Sequence, residues 1–101
     1  MNADRLAKMK PTAFLINSAR GDVIDPAALI EALSAGTIAG AGLDVFEGVP
    51  AVPDALKAME NVVLLPHLGS ATVETHVAKG MRVVDNLTAF FAGEEPQDKL
   101  V

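Results

Sequence analysis

A chain of 101 residues with a formal charge of −5 and no Lys/Arg cluster has the size of one domain, and it lacks the electrostatic footprint of a nucleic-acid or anionic-membrane binder. It contains no cysteine, which excludes disulfides, thiolate nucleophiles and thiolate metal sites and agrees with a reducing cytoplasm. Half of the residues are apolar, yet no run approaches the roughly 18 residues of a membrane span, and residues 1–11 carry Asp4, Arg5, Lys8 and Lys10 where a signal peptide would need an apolar core. A soluble, unexported protein with a small organic ligand is the expectation.

Asn2 can cap a short helix over 3–9, with Leu6 and Met9 on one side and Pro11 as its stop. So brief an element is expected at the periphery. Residues 13–16, Ala-Phe-Leu-Ile, are apolar without alternation, the pattern of a strand covered on both faces. The small polar stretch from Asn17 to Asp22 ends it. Asp25-Pro26 predicts a helix start, because Asp accepts from free amides at the N-cap and Pro at the first helical position gives up no needed donor. Leu29, Ile30 and Leu33 form its buried stripe, and Gly36 supplies a left-handed residue after the last turn.

A second strand is predicted over 38–46, IAGAGLDVF, kept thin by Gly40 and Gly42 and interrupted by Asp44. Residues 47–61 are loop-like, with Pro50 and Pro53 and a turn or two of helix from Asp54 to Met59. Val62-Val63-Leu64-Leu65 reads as a third strand stopped by Pro66, and His67-Leu68-Gly69-Ser70 as a turn. A long helix over 72–91 follows, whose apolar positions Val73, Val77, Met81, Val84, Leu87 and Phe91 step by three or four as one buried face requires. Gly93 ends it, and 94–101 is a polar tail too short to fold by itself.

Strands alternating with helices predict an α/β fold: a three-stranded parallel sheet with right-handed crossovers and flanking helices. The strand over 13–17 then lies at an edge. A long apolar edge invites pairing, so a cover is expected from another chain, a second copy or the N-terminal helix.

Ligands of parallel sheets gather beyond the carboxyl ends of the strands, where Arg20, Asp44 and His67 all fall. Arginine offers a two-donor fork for a carboxylate, and histidine exchanges protons near neutral pH. Each has a plainer reading. A loop arginine beside Gly and Asp is ordinarily a solubilising charge, and His67 between Pro66 and Leu68 could cap a turn or be buried. Asp44 within an apolar strand needs a bonded partner, either backbone amide or ligand. His76, one residue off the apolar stripe, reads as surface, and Glu47 as a solvated loop carboxylate.

The segments LINSARGDVIDPAALIEAL, AGAGLDVFEG and PHLGSAT resemble, in order and spacing, the D-isomer-specific 2-hydroxyacid dehydrogenase family, which includes glyoxylate/hydroxypyruvate reductases and phosphoglycerate dehydrogenases. The resemblance covers almost the whole chain. It implies the second half of a Rossmann domain, NAD or NADP as cofactor, and a small 2-oxoacid or 2-hydroxyacid as substrate. It implies further that Arg20, in N-x-x-R-G, binds the substrate carboxylate and polarises the adjacent carbonyl. His67, in P-H-x-G-S, would be the general acid that protonates the carbonyl oxygen. Asp44 would hold the nicotinamide carboxamide, and Ala19, Gly69 and Ser70 would line the same ring.

Two departures bear on activity. The family places a glutamate before the proline of an E-P dipeptide, paired with the histidine, whereas Val49 precedes Pro50 here. Loss of that carboxylate predicts weaker proton delivery by His67. Family members are also roughly three times as long, and no G-x-G-x-x-G loop occurs in this sequence, since the Gly40–Gly42 element precedes no helix. Residues 1–101 are therefore expected to be a partial dinucleotide-binding domain without the substrate domain or the glycine-rich half, weak or inactive alone and completed by an N-terminal half. The alternative is a non-catalytic folded fragment that self-associates along its edge strand. A phosphate-accepting domain of flavodoxin-like shape is disfavoured because the first strand carries no acidic cluster.

Overall fold

The structure, a computed structural model, describes residues 1–47 and 52–100. The substitution of Val49 for the expected glutamate, and Pro50 after it, lie outside the described residues. Two compact units are formed, Met1–Gly69 and Ser70–Val101.

The first unit runs α1 (Ala3–Leu6), β1 (Phe14–Asn17), a short 3₁₀ turn (Gly21–Val23), α2 (Pro26–Ser34), β2 (Gly40–Leu43), α3 (Asp54–Lys57) and β3 (Val62–Leu64). The strands form one sheet in the order β1-β2-β3, and both pairings are parallel. Parallel neighbours need a crossover, and α2 provides the first one. Its N-cap is the predicted one: Asp25 Oδ1 accepts from the amides of Ala27 and Ala28 at 3.0 and 3.2 Å. Gly36 leaves the helix with a φ of 69°, the left-handed conformation for which glycine carries no steric penalty. β2 is shorter than 38–46, because its ladder closes between Gly40 and Leu43 before the chain turns away at Asp44.

One core holds this unit together. Leu29 and Leu33 of α2, Ala41 and Leu43 of β2, Ile38 and Leu56 are buried in it, with Leu15 and Leu64 packed against them. Two expectations are corrected here. Leu6 is only 1 % exposed, so α1 is part of the core rather than peripheral: Asn2 Oδ1 caps it through the amide of Arg5, and the single turn delivers one leucine against α2. The sheet, in turn, is covered on one face. Side chains alternate along a strand, so Leu15 points to the core while its neighbours Phe14 and Ile16 are 66 % and 70 % exposed. Val63 and Leu65 continue that exposed apolar face on β3 and just beyond it. The run Ala-Phe-Leu-Ile has no polar position to mark the open side, which is why the pattern alone reads as two covered faces.

The second unit is α4 (Val73–Phe91) and the tail after it. Thr72 caps the helix by accepting from the amide of Thr75 at 3.2 Å, and Gly93 ends it with a φ of 77°. The tail folds back onto its own helix. Arg82 Nε and Nη2 donate to the two carboxylate oxygens of Asp98 at 2.6 and 3.0 Å, its Nη1 donates to Gln97, and Asn86 Nδ2 donates to Asp98 at 2.7 Å. These bonds, that to Arg82 foremost, hold the Asp98 carboxyl below its ordinary range. The apolar stripe of α4 is present at the predicted positions, but Val73, Val77, Met81, Val84, Leu87 and Phe91 are exposed, since one helix and a polar tail supply no second apolar layer.

Candidate functional site

The three strands of the first unit end in step. Asn17 is paired with Leu43 and Leu43 with Leu64, the amide of Asp44 donates to the Asn17 carbonyl at 2.9 Å, and the amide of Leu65 donates to the Leu43 carbonyl at 2.9 Å. The loops that carry Arg20, Asp44 and His67 therefore leave one rim of the sheet, as parallel pairing requires.

Arg20 is exposed, and its Nη1 donates to the neighbouring Ala19 carbonyl at 2.7 Å. It is followed at once by a position that must be glycine. A Cβ on residue 21 would lie 2.0 Å from the carbonyl carbon of Phe46 and 2.2 Å from the amide nitrogen of Glu47. The loop after β1 thus crosses the backbone after β2 in direct contact, with Arg20 projecting from the crossing.

Asn17 fixes the same loop from beneath. It is 6 % exposed, its Nδ2 donates to the Arg20 carbonyl at 2.8 Å, and its Oδ1 accepts from the Ala19 amide at 3.1 Å. Sequence reasoning treats Asn17 only as the end of a strand. The available signal was a side chain with both donor and acceptor placed where a buried strand meets a polar loop.

Asp44 is the second buried polar residue at this rim, also 6 % exposed. Its Oδ1 accepts from the Leu68 amide and its Oδ2 from the Gly69 amide, both at 2.6 Å. The partner expected of a carboxylate in an apolar strand is thus backbone amide from the loop after β3. Two consecutive N–H groups converging on one carboxylate make an anion-binding concavity, which offsets the desolvation of the charge. Gly69 lies so near that a Cβ on it would stand 2.8 Å from Asp44 Oδ2.

His67 precedes these amides and is exposed, so the buried-histidine reading does not apply. Its φ of 57° is left-handed, a conformation that non-glycine residues adopt at a cost and that histidine tolerates better than most. Ser70 is the first residue of the second unit, where its Oγ accepts from Lys79 Nζ at 2.9 Å and its φ is 58°. Glu47 and His76 are exposed, as the sequence suggests. No group of three or more potential metal ligands occurs among the described residues.

Between the exposed sheet face and the loop after β3 lies a cavity of about 460 Å³, lined by Ile16, Asn17, Gly42, Asp44, Val63 and Gly69 among others. Its lining is mostly apolar, with Ile16 Cδ1 lying over Gly42, where a Cβ would stand 3.0 Å from it, and with Asn17, Ser18 and Asp44 at its edge. An arrangement of this kind can receive a planar ring, with an exposed cation and an exposed imidazole on neighbouring loops.

Comparison with known proteins gives a consistent result. Residues 1–69 match the family model described as D-isomer specific 2-hydroxyacid dehydrogenase, NAD binding domain, the same span as the first compact unit. The chain is 55 % identical over 96 residues to a glyoxylate reductase of Pyrococcus furiosus, covering 95 % of this chain and 29 % of that one. Among solved structures, the NADPH-dependent glyoxylate/hydroxypyruvate reductase of Sinorhizobium meliloti in complex with NADP and malonate superposes with a TM-score of 0.80 at 57 % identity, over 89 % of this chain and 28 % of that one. A D-isomer specific 2-hydroxyacid dehydrogenase of Xanthobacter autotrophicus in complex with NADPH and MES superposes with a TM-score of 0.85 at 45 % identity, over 100 % and 41 %. The chain thus spans about 29 % of the length of the Pyrococcus furiosus enzyme.

Proposed function

Since the chain belongs to the D-isomer specific 2-hydroxyacid dehydrogenases, in their NAD-binding domain, we propose that it carries the nicotinamide end and two reacting groups of a site that reduces a small 2-oxoacid of the glyoxylate or hydroxypyruvate class. The observation that carries the reading is the common rim: three parallel strands end in step, and the loops leaving them present an exposed arginine and an exposed histidine.

The chemistry asks for a clamp and a proton donor. The Arg20 guanidinium pairs with the substrate carboxylate through two parallel donors and turns the adjacent carbonyl toward the site. His67, in its protonated form, gives a proton to the carbonyl oxygen as that oxygen gains charge, and is left neutral. When bound, NAD(P)H supplies the hydride that adds to the carbonyl carbon, so that one hydride and one proton convert the 2-oxoacid to a D-2-hydroxyacid. Ala19, Asp44, Gly69 and Ser70 would hold the nicotinamide end. The cavity over Gly42 suits a flat ring, whereas Gly40 and Gly42 lie inside β2, and the described residues that follow it directly, 44–47, begin no helix whose N-terminus could receive a diphosphate. Residues 1–101 thus act as part of a dinucleotide-binding domain, and the phosphate cradle and substrate domain must come from elsewhere.

A titration of the chain with NADH and glyoxylate tests this. Millimolar ligand should shift the NMR signals of the Arg20, Asp44 and His67 loops while turnover stays weak or absent. Shifts confined to other regions, or none, would overturn it. The position of β1 at the edge of the sheet favours a second reading, a non-catalytic fragment that pairs with its own copy along β1. No ligand response together with a dimer by light scattering would select that reading.

A further inference from the structure

Asn17 and Asp44 are neighbours at the ends of β1 and β2, joined by the 2.9 Å bond from the Asp44 amide to the Asn17 carbonyl, and they are the two buried polar residues among those described. Neither uses its side chain within the sheet. Each reaches up into a different loop and satisfies that loop's backbone: Asn17 in the loop of Arg20, Asp44 in the loop of His67. We propose that the two are a matched pair of positioning residues, which set Arg20 and His67 from one rigid point beneath them. The proposal rests on the reading of Arg20 and His67 as the reacting groups.

The residue types follow from what each loop offers. The loop after β1 presents one carbonyl and one amide, so its anchor must donate and accept, which Asn can do and Asp cannot. The loop after β3 presents two amides and no carbonyl, so its anchor must accept twice, which a carboxylate does with full charge assistance. Exchanging the residue types inverts the match without changing side-chain size. Asn17→Asp sets a carboxylate against the Arg20 carbonyl, and Asp44→Asn sets an amide N–H against the N–H of Leu68 or Gly69. No buried side-chain donor or acceptor among the described residues lacks a partner in the native arrangement, so each exchange creates a mismatch where none existed.

The geometry of His67 depends on its anchor as well. A left-handed φ at a histidine is maintained only where surrounding bonds over-determine it, and the two bonds to Asp44 are made by the next two residues of the chain. Gly69 admits that close approach, because any side chain there would press on Asp44 Oδ2.

The test uses isotope-labelled chain. In Asp44→Asn, the amide protons of Leu68 and Gly69 should lose their downfield shift and exchange protection, and the backbone coupling of His67 should leave its left-handed value. The Ala19 amide should be unchanged. Asn17→Asp should do the reverse, altering Ala19 and Arg20 and sparing residues 68 and 69. With glyoxylate as probe, Asn17→Asp should weaken the response at Arg20 by about tenfold, the order that leaving one backbone acceptor without its donor costs, while the urea midpoint followed at Ala41 defines whether the sheet is intact. Should an exchange unfold the chain, Gly69→Ala crowds Asp44 Oδ2 while leaving the carboxylate in place, and Asn17→Ala removes both anchor bonds without adding a charge. Native amide shifts and an unaltered His67 coupling in these variants would overturn the proposal. A wild-type chain that ignores glyoxylate and NADH but still shows the loop-specific amide changes would instead overturn the functional reading alone.

Discussion

At the residue scale, the position before which everything turns is Gly21. The motif R-G can be read in the sequence as a turn, yet nothing in the letters says that its glycine is pressed against the backbone of Phe46 and Glu47, more than twenty positions along the chain. Gly21→Ala is expected to cost about 1–3 kcal/mol through forced backbone displacement, and to alter the Arg20 loop more than its distance from the core suggests. Urea unfolding gives the first quantity, and the amide signals of residues 19 to 22 and 46 to 47 the second. An alanine variant with native stability and native loop signals would refute the contact. Arg20, Asp44 and His67 were legible because each is a chemically conspicuous residue at a strand end. Asn17 was not, since a buried asparagine and an exposed turn asparagine look alike until the loop folds over it. For Asp44 the sequence left backbone amide and ligand open as partners, and both carboxylate oxygens accept from backbone amides.

At the element scale, hydrophobic runs together with cap and proline signals located the strands and α-helices of the described residues, though not the 3₁₀ turn at Gly21–Val23, and weighed them unevenly. Leu6 sits on a helix of a single turn and is 1 % exposed, whereas Ile16 sits in the unbroken apolar run 13–16 and is 70 % exposed. Truncation should separate them. Leu6→Ala is expected to destabilise the first unit by about 2–5 kcal/mol, and Ile16→Ala by no more than about 0.5 kcal/mol, measured as the urea dependence of the Ala41 and Leu43 amides. Equal effects would show that the outer face of the sheet is covered in solution. The tail of the second unit carries its own test. The Asp98 carboxyl is held below its ordinary value of 3.8 by its bonds to Arg82 and then Asn86, so the clasp it forms is at full strength above that value and is lost as pH falls through the lower, folded value. The carbon shift of the Asp98 carboxyl should therefore titrate below 3.8, and Arg82→Ala should move the midpoint up toward it. A midpoint unmoved by that substitution would show that the clasp does not form. Gln97 and Asp98 were read from sequence as an unstructured tail because composition cannot reveal a bidentate pair sixteen residues apart.

At the scale of the whole molecule, the two units differ in what stabilises them. The first has a shared core of three helices and three strands, with Leu6, Leu29 and Ile38 fully buried. The second has a helix of 19 residues with no buried residue, kept in shape by caps and by the exposed bonds of Arg82 and Asp98. Most helical stability in proteins comes from packing of an amphipathic face, of which α4 buries no residue, and exposed ion pairs add little. The apolar periodicity of α4 was therefore correctly read as a helix and wrongly read as a covered face, since periodicity reports which side chains share a side and not whether anything lies against them. It follows that the chain should not unfold in one step. Hydrogen exchange should show the amides of Ala41 and Leu43 opening only with global unfolding of the first unit, while those between Val77 and Leu87 exchange orders of magnitude faster, and far-UV circular dichroism should lose helical signal on warming before the sheet amides lose protection. Protection of α4 equal to that of β2 would sink this expectation, and would mean that the stripe from Val73 to Phe91 is covered in solution by a surface with which it unfolds as a unit.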